Sequence, residues 1–280
     1  ARIVLPGERP ADPAGGAEAM LLGPVAALLD AAAAQLEAGP RADAEAATRY
    51  AQNWQFAEAA AWAAREDADG AAETLHEHEV APILRAALPA GAALMVGNSN
   101  PVRDLDHDLP PDGRVLALLH QRGAAGIDGL VAGAAGARSV LDAAAPLALL
   151  LGDVSLLHDA GGLAAAAAVT GPLAIVAVHN DGGRIFERLP LGRRPDLATE
   201  REQLFVAGHG HAFDGLAATY GLGYERVQKP AELRAALARA LAATRPVLIE
   251  ARVAAGGSGI RAALLAAMAE AGAAAFASPP

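Results

Sequence analysis

Short apolar runs punctuate the chain from residue 93 onward, and their spacing predicts the fold. Ala93–Val96, Val115–Leu119, Leu147–Leu151, Leu173–Val178 and Val247–Val253 each have strand length, and none alternates cleanly between apolar and polar positions. Such continuous runs read as strands buried on both faces. A helical stretch over Glu73–Leu88 ends at Pro89-Ala90-Gly91. Alanine-rich stretches at Gly129–Ala145, Gly161–Val169, Phe213–Tyr220 and Ala231–Ala243 lie between the later runs and read as helices. Strand–helix repetition of this kind predicts an α/β fold built on a doubly wound parallel sheet. Ligands of such sheets bind beyond the carboxyl ends of the strands, where the winding reverses. Chemistry is therefore expected in the loops that follow the strands.

The first 70 residues have a different pattern. Leu21 to Leu36 is largely apolar, and Glu45 to Arg65 carries Trp54, Phe56 and Trp62 among alanines. Both stretches read as helices, with the aromatics as core anchors. Ala1–Leu5 reads as a strand with no initiator methionine before it, so the chain is expected to begin inside a domain. Residues 1–70 are then expected to show apolar surface or an unpaired sheet edge. The pattern predicts a first segment over 1–70, a doubly wound domain over 71–255, and a loose, fraying helical tail over 256–280.

Composition narrows the classes. The 280 residues are 53% hydrophobic and 19% charged, which is globular rather than disordered. The net charge of −10 argues against general affinity for nucleic acid or anionic lipid. With no cysteine, thiolate metal sites and disulfides are excluded, and a cytoplasmic location is expected. No apolar stretch is read as a membrane span, and no signal peptide is read at the start.

Two strand ends carry candidate chemistry. The first run leads into Gly152-Asp153-Val154-Ser155, and the next leads through His179 into Asn180-Asp181-Gly182-Gly183. Asp153 and Asn180 are 27 residues apart with a helix between them, which is one crossover unit. Neighbouring parallel strands lie about 4.8 Å apart, so both side chains can converge on one ion. A carboxylate, an amide oxygen and a backbone carbonyl are hard ligands that leave room for phosphate oxygens around Mg²⁺. The amides of Gly152–Ser155 can cradle an anionic oxygen. Taken singly, Gly-Asp and Asn-Asp-Gly-Gly are ordinary turn signals. No Gly-x-Ser-x-Gly elbow accompanies Ser155 and His158, so a hydrolytic triad is not read. His209 and His211 are either metal ligands or a polar loop, and Asp181 either adds charge near the metal loop or caps a turn.

Gly-Asp followed some two dozen residues later by Asn resembles the cofactor motif of thiamine-diphosphate (ThDP) enzymes. That resemblance implies that Asp153, Asn180 and the carbonyl of Gly182 hold Mg²⁺ against the cofactor's diphosphate, with Gly152, Val154 and Ser155 beside it. Further segments resemble the 2-succinyl-5-enolpyruvyl-6-hydroxy-3-cyclohexene-1-carboxylate (SEPHCHC) synthase family of menaquinone biosynthesis. They are Gly97-Asn98-Ser99-Asn100-Pro101-Val102-Arg103-Asp104, Arg122-Gly123-Ala124-Ala125-Gly126-Ile127-Asp128-Gly129, and Asp181-Gly182-Gly183-Arg184-Ile185-Phe186 with Leu189 following. Gly152–Asp159 and His209-Gly210 with Phe213 match the family as well. The likeness is strong from about residue 93 to 253 and traceable back to Ile3.

The resemblance implies decarboxylation of 2-oxoglutarate and addition of the succinyl unit to isochorismate. It implies that Ser99, Arg103 and Arg122 contact the anionic substrates. It also implies that Ile127 supports the bent cofactor, and that Ile185, Phe186 and Leu189 wall the reacting end. Gln121 and Ala125 depart from the family's usual Asn and Ser. The glutamate that activates ThDP in this family lies in an N-terminal pyrimidine-binding domain, which nothing here resembles. The chain is thus expected to carry the diphosphate half of the site and no catalytic residue of its own. It is expected to work with an N-terminal half in a homodimer or homotetramer, and to be inactive alone. An acetolactate-synthase-like ThDP enzyme and a non-catalytic Mg²⁺-nucleotide module are the alternatives.

Overall fold

The computed structural model describes residues 3–7, 12, 15–39, 43–69, 73–109, 113, 116–121, 123, 126–142 and 144–278. In chain order the first elements are β1 (Ile3–Gly7), β2 (Ala19–Leu22), α1 (Val25–Ala38), α2 (Ala44–Asp69) and α3 (Glu77–Ala87). Then come β3 (Ala93–Val96), α4 (Asn100–Asp108), β4 (Ala117–His120), α5 (Leu130–Val140), β5 (Leu147–Gly152), α6 (Asp153–His158), α7 (Gly162–Ala168) and β6 (Leu173–His179). Short helical turns occupy Arg184–Arg188, Pro190–Arg193 and Pro195–Leu197 ahead of α8 (Ala198–Arg201) and a π-turn at Glu202–Val206. The last elements are α9 (Asp214–Tyr220), β7 (Gly223–Val227), α10 (Pro230–Ala242), β8 (Val247–Arg252) and α11 (Gly257–Ala277). They group into two compact units, one of Ala1–Ala60 with Ala271–Pro280 and one of Ala61–Glu270.

The larger unit is the α/β part. Its six strands are all parallel, in the order β4-β3-β5-β6-β8-β7. From β3 the chain steps first to β4 on one side and then to β5 on the other, so the winding reverses between β3 and β5. The central strands are buried on both faces. Leu147, Leu149 and Leu151 of β5 and Leu173 and Ile175 of β6 pack into one core with residues of α5, α6 and α9. Ala148 and Leu150, with Ala174, Val176 and Val178, pack into the other with α3 and α10. The outer strand β4 departs from the expected burial, and Leu118 on it is exposed. The unexpected elements include β7, whose Gly-Tyr-Glu-Arg-Val mixes charge with apolar residues, α4, which has Pro101 in its first turn, the short helices α6 and α8, and β2, which takes Leu21 and Leu22 from the run expected to be helical.

The smaller unit is built from the parallel pair β1–β2, α1, most of α2 and the end of α11. None of its large described apolar side chains is buried, and Ile3, Met20, Leu22, Leu29 and Leu36 are all exposed. The aromatics are not core anchors. Trp54 and Phe56 are exposed, and Trp54 instead meets Tyr50 and Phe276 edge to face, with ring centroids 6.3 and 5.1 Å away. Trp62, in the larger unit, lies under the Arg65 guanidinium at 5.8 Å. The C-terminal segment is a helix of 21 residues, free of proline and rich in alanine, with Arg261 and Leu264 buried. By length and composition alone this helix is long and apolar enough to cross a membrane.

Acids and arginines form a buried network where α3, α4 and α11 meet. Arg65 Nη1 pairs with Asp108 Oδ1 at 2.5 Å, Asn100 donates to Glu77 Oε1 at 2.8 Å, and Arg261 pairs with Asp104. Burial pushes Asp104 up to about 8, against the opposing charge of Arg261. Burial also raises Asp108, against Arg65.

Two outcomes follow from this packing. Leu149 is fully buried, so Leu149→Ala should cost about 2–5 kcal/mol, read from the shift of a urea unfolding curve. An acid whose folded value is raised contributes stability that is complete below its unfolded value of about 3.9 and is lost as pH rises toward the folded one. Stability is thus expected to fall between about pH 5 and pH 8, and Asp104→Asn to flatten that slope; an unchanged slope in the variant rules Asp104 out as its source.

Candidate functional site

The parallel pairing of β5 with β6 sets Gly152 opposite Val178, so both strands end at the same edge of the sheet. Asp153 opens α6 directly beyond that edge and is buried. One carboxylate oxygen accepts the amide of Val154 at 2.7 Å and the other accepts the amide of Gly182 at 3.1 Å. The loop after β6 can supply that amide because it turns through left-handed backbone, with φ of 61° at Asp181 and 126° at Gly182. A side chain at Gly182 would also collide with the Val206 carbonyl. In the same loop the buried Oδ1 of Asn180 has no hydrogen-bond partner among the described residues.

A cavity of about 170 Å³ opens at this edge, beside the switch point between β3 and β5. The structure brings ten of the expected site residues to its wall. Ser99 and Ile127 line it from one side, Gly152 to Ser155 form its base, and Asn180, Gly182, Ile185 and Phe186 close the other side. Ser99 holds φ of 69° and ψ of −134°, a sparsely populated conformation of the kind that collects at functional loops. Asn98 is buried and donates to the carbonyls of Gln121 and Gly126 at 3.3 and 2.5 Å, which ties down the segment bearing Ile127.

Two expected residues are not on this wall. Arg103 is exposed on α4 and donates to the Ser99 carbonyl at 2.6 Å. Leu189 is exposed beyond the turn that carries Phe186. Arg122 lies outside the described residues.

A histidine stack stands behind the metal-like loop. His179 lies 5.0 Å from His209 and 4.9 Å from Phe213, ring to ring. Nδ1 of His179 meets Glu250 Oε1 at 3.0 Å, which points Nε2 away from Glu250 and leaves it buried without a partner among the described residues. Nε2 of His209 lies 3.3 Å from Asp153 Oδ2. Asp153, His179 and His209 each offer a ligand atom within 4.8 Å of the others.

Glu250 was not among the expected site residues, although a carboxylate within an apolar strand run is a signal in itself. It is fully buried and also accepts from Phe213 N at 3.0 Å, Tyr224 Oη at 2.5 Å and Arg252 Nε at 2.9 Å. Burial by itself would raise this carboxyl, but the bonds from His179, Tyr224, Phe213 and Arg252 hold it well below the usual range. Burial and the Glu250 carboxylate push the Tyr224 phenol up to about 12. Asp181 joins two loops: its Oδ1 accepts from Gly210 N at 2.7 Å and His209 N at 3.1 Å. The Gly210 amide, against the opposing effect of burial, holds its carboxyl below the ordinary value. A further buried acid, Glu77, lines the cavity and was likewise not singled out.

Comparison with known proteins agrees with this geometry. Residues 116–251 match the family described as thiamine pyrophosphate enzyme, C-terminal TPP binding domain. The chain is 45% identical over 259 residues to SEPHCHC synthase of Sorangium cellulosum, covering 90% of this chain and 41% of that protein. It is 36% identical over 228 residues to the Salinibacter ruber enzyme of the same name, covering 81% of this chain and 36% of that protein. Among solved structures, 4-hydroxybenzoylformate decarboxylase of Rhodococcus jostii matches with a TM-score of 0.53 at 23% identity, over 66% of this chain and 34% of that one. Benzoylformate decarboxylase of Polynucleobacter necessarius matches at 0.51 and 18%, over 65% and 34%. These two likenesses bear on the fold alone. The chain spans about two fifths of the length of the curated relatives it matches. It belongs to the thiamine-diphosphate-dependent enzymes and, within them, groups with the SEPHCHC synthases.

Proposed function

We propose that this chain supplies the diphosphate- and Mg²⁺-binding part of a SEPHCHC synthase. The observation that carries the reading is the converging set of hard oxygens at one sheet edge: a buried carboxylate fixed by two amides and the unpartnered Oδ1 of Asn180. A buried amide oxygen without a donor is costly unless something else meets it. A divalent cation held by Asp153, Asn180 and the Gly182 carbonyl meets it, and this donor set suits Mg²⁺ with phosphate oxygens completing its shell. His179 and His209 offer nitrogens toward the same carboxylate, and Mg²⁺ takes oxygen in preference.

When bound, ThDP supplies the electron sink for decarboxylation and carbon–carbon bond formation. The chain's own residues do the rest. Gly152–Ser155 receive the diphosphate, and Ile127 supports the cofactor's bend. Ile185 and Phe186 keep water from the reacting end, which favours a step that disperses charge. Ser99, Arg103 and Arg122 take up the carboxylates of 2-oxoglutarate and isochorismate, with guanidinium forks suited to that geometry. Leu189 extends the apolar wall. For Arg103 this role requires release of the Ser99 carbonyl, and for Leu189 it requires a turn toward the cavity. The pyrimidine-contacting glutamate comes from an N-terminal part of the enzyme, in a homodimer or homotetramer located in the cytoplasm. Residues 1–70 are then the end of the enzyme's central domain, 71–255 its diphosphate-binding domain, and 256–280 a C-terminal extension.

Calorimetry tests the metal assignment. Asp153→Ala is expected to abolish Mg²⁺-dependent ThDP binding, and unchanged affinity overturns it. Steady-state kinetics test the substrate assignment in the enzyme completed with its N-terminal part. Arg103→Ala and Arg122→Ala should each lower kcat/KM for a carboxylate substrate about 10- to 150-fold while ThDP affinity holds, and unchanged parameters in both remove the arginines from the site.

A further inference from the structure

A second cavity, of about 470 Å³, lies on the other side of the turn Arg184–Arg188. The turn contributes Arg184, Ile185 and Phe186 to the first cavity and Glu187 and Arg188 to the second. Three guanidiniums face this space, from Arg188, Arg201 and Arg261, together with the first turn of α11 at Ser258 and Gly259. The acid on the wall, Glu187, is engaged by Arg184 at 2.7 Å.

The three arginines are not used up by their neighbours. Arg261 is 2% exposed, and its Nη2 is engaged by Asp104, but its Nε and Nη1 are buried with no hydrogen-bond partner among the described residues. Among the same residues, Nη1 of Arg188 and Nε of Arg201 are buried and unpartnered as well, while Arg201 Nη1 donates to the Gly192 carbonyl at 3.1 Å. Burial and the nearby Arg261 charge lower Arg188 from its ordinary value, the mark of cations crowded without enough counter-charge. Buried guanidinium donors that meet no acceptor are costly, and an oxyanion with several acceptors removes that cost. The amino terminus of the 21-residue α11 adds its positive dipole end at the same place.

We propose that this cavity is a second anion site, distinct from the diphosphate cradle, that takes a small divalent oxyanion through Arg188, Arg201 and Arg261. Two ligand chemistries share that character, the phosphate group and the dicarboxylate. One charge on the ligand answers Arg261 deep in the cavity, and the other answers Arg188 and Arg201 nearer its mouth. Because one turn walls both cavities, the occupant sits directly behind Ile185 and Phe186.

The test is calorimetric titration of the full 280-residue chain with inorganic phosphate and, separately, with succinate, each against chloride at matched ionic strength. Saturable binding of either anion above chloride is expected; phosphate alone assigns a phosphate ligand and succinate alone a dicarboxylate. The double variant Arg188→Gln with Arg201→Gln should weaken that binding by about tenfold or more while Mg²⁺-ThDP titration stays as in the parent chain. Asp153→Ala should leave the anion binding in place, so a failed cofactor assignment cannot imitate a failed anion site. Should the double variant not fold, Arg201→Gln alone, whose side chain is partly exposed, must show a loss in the same direction. Binding no stronger than chloride, or phosphate binding lost in Asp153→Ala yet retained in the arginine variants, overturns the proposal.

Discussion

The pairing of β5 with β6 fixes everything at the sheet edge. Six consecutive pairs, from Leu147 with Leu173 to Gly152 with Val178, bring the two strand ends level. Polar–apolar alternation cannot set this register, since both faces are buried. Side-chain shape sets it instead. One face carries Leu147, Leu149, Leu151, Leu173, Ile175 and Ala177, and the other carries Ala148, Leu150, Ala174, Val176 and Val178. A slip of one residue would send every one of these side chains to the opposite face. Protein interiors pack too closely to absorb that exchange. The same slip would move Asp153 off the amide of Gly182.

A second constraint comes from Glu250, a buried acid on β8, between β6 and the edge strand β7. Burying a carboxylate without partners costs several kcal/mol, so its ring of donors is obligatory. Those donors come from β6, β7, β8 itself and the residue before α9, so one carboxylate ties four parts of the chain together. Its bond to His179 fixes which imidazole nitrogen faces Asp153. Asp181 does comparable work on the surface by joining the loop after β6 to the segment at His209 and Gly210. The arrangement at Asp153 thus depends on residues that face away from the cavity.

The central strands were legible because a continuous apolar run of strand length, set between alanine-rich helical stretches, suits a strand covered on both faces. The edge strand β7 was not, because an outer strand mixes charge with apolar residues and loses that signature. Helix α4 hid inside a segment whose polar residues, Asn100, Asp104 and Asp108, are buried through pairing rather than through hydrophobicity. The aromatics of α2 misled for a related reason: size makes Trp54 and Phe56 natural core residues, yet apolar surface is retained where no neighbouring element covers it. Site residues that sit at strand ends, Asp153 and Asn180, could be found from spacing. Glu250, Glu77 and the arginine cavity depend on contacts between segments far apart in sequence, which spacing does not encode.

Electrostatics gives the two cavities a common logic. A chain of net charge −10 repels small anions at long range, so any anion site on it must be made locally. Under the proposed function, the oxygen ligands at the first cavity gather a cation, and the cation then gathers phosphate. At the second the cations are covalently part of the chain, and Arg261 is held in a buried position by its contact with Asp104. That contact takes up one side of the guanidinium and leaves Nε and Nη1 without a partner among the described residues. Asp104 therefore acts on the second cavity from behind: a buried acid outside the lining engages the guanidinium that belongs to it. Glu250 is likewise set back from the first cavity, where it holds His179 behind the loop that carries Asn180 and Gly182.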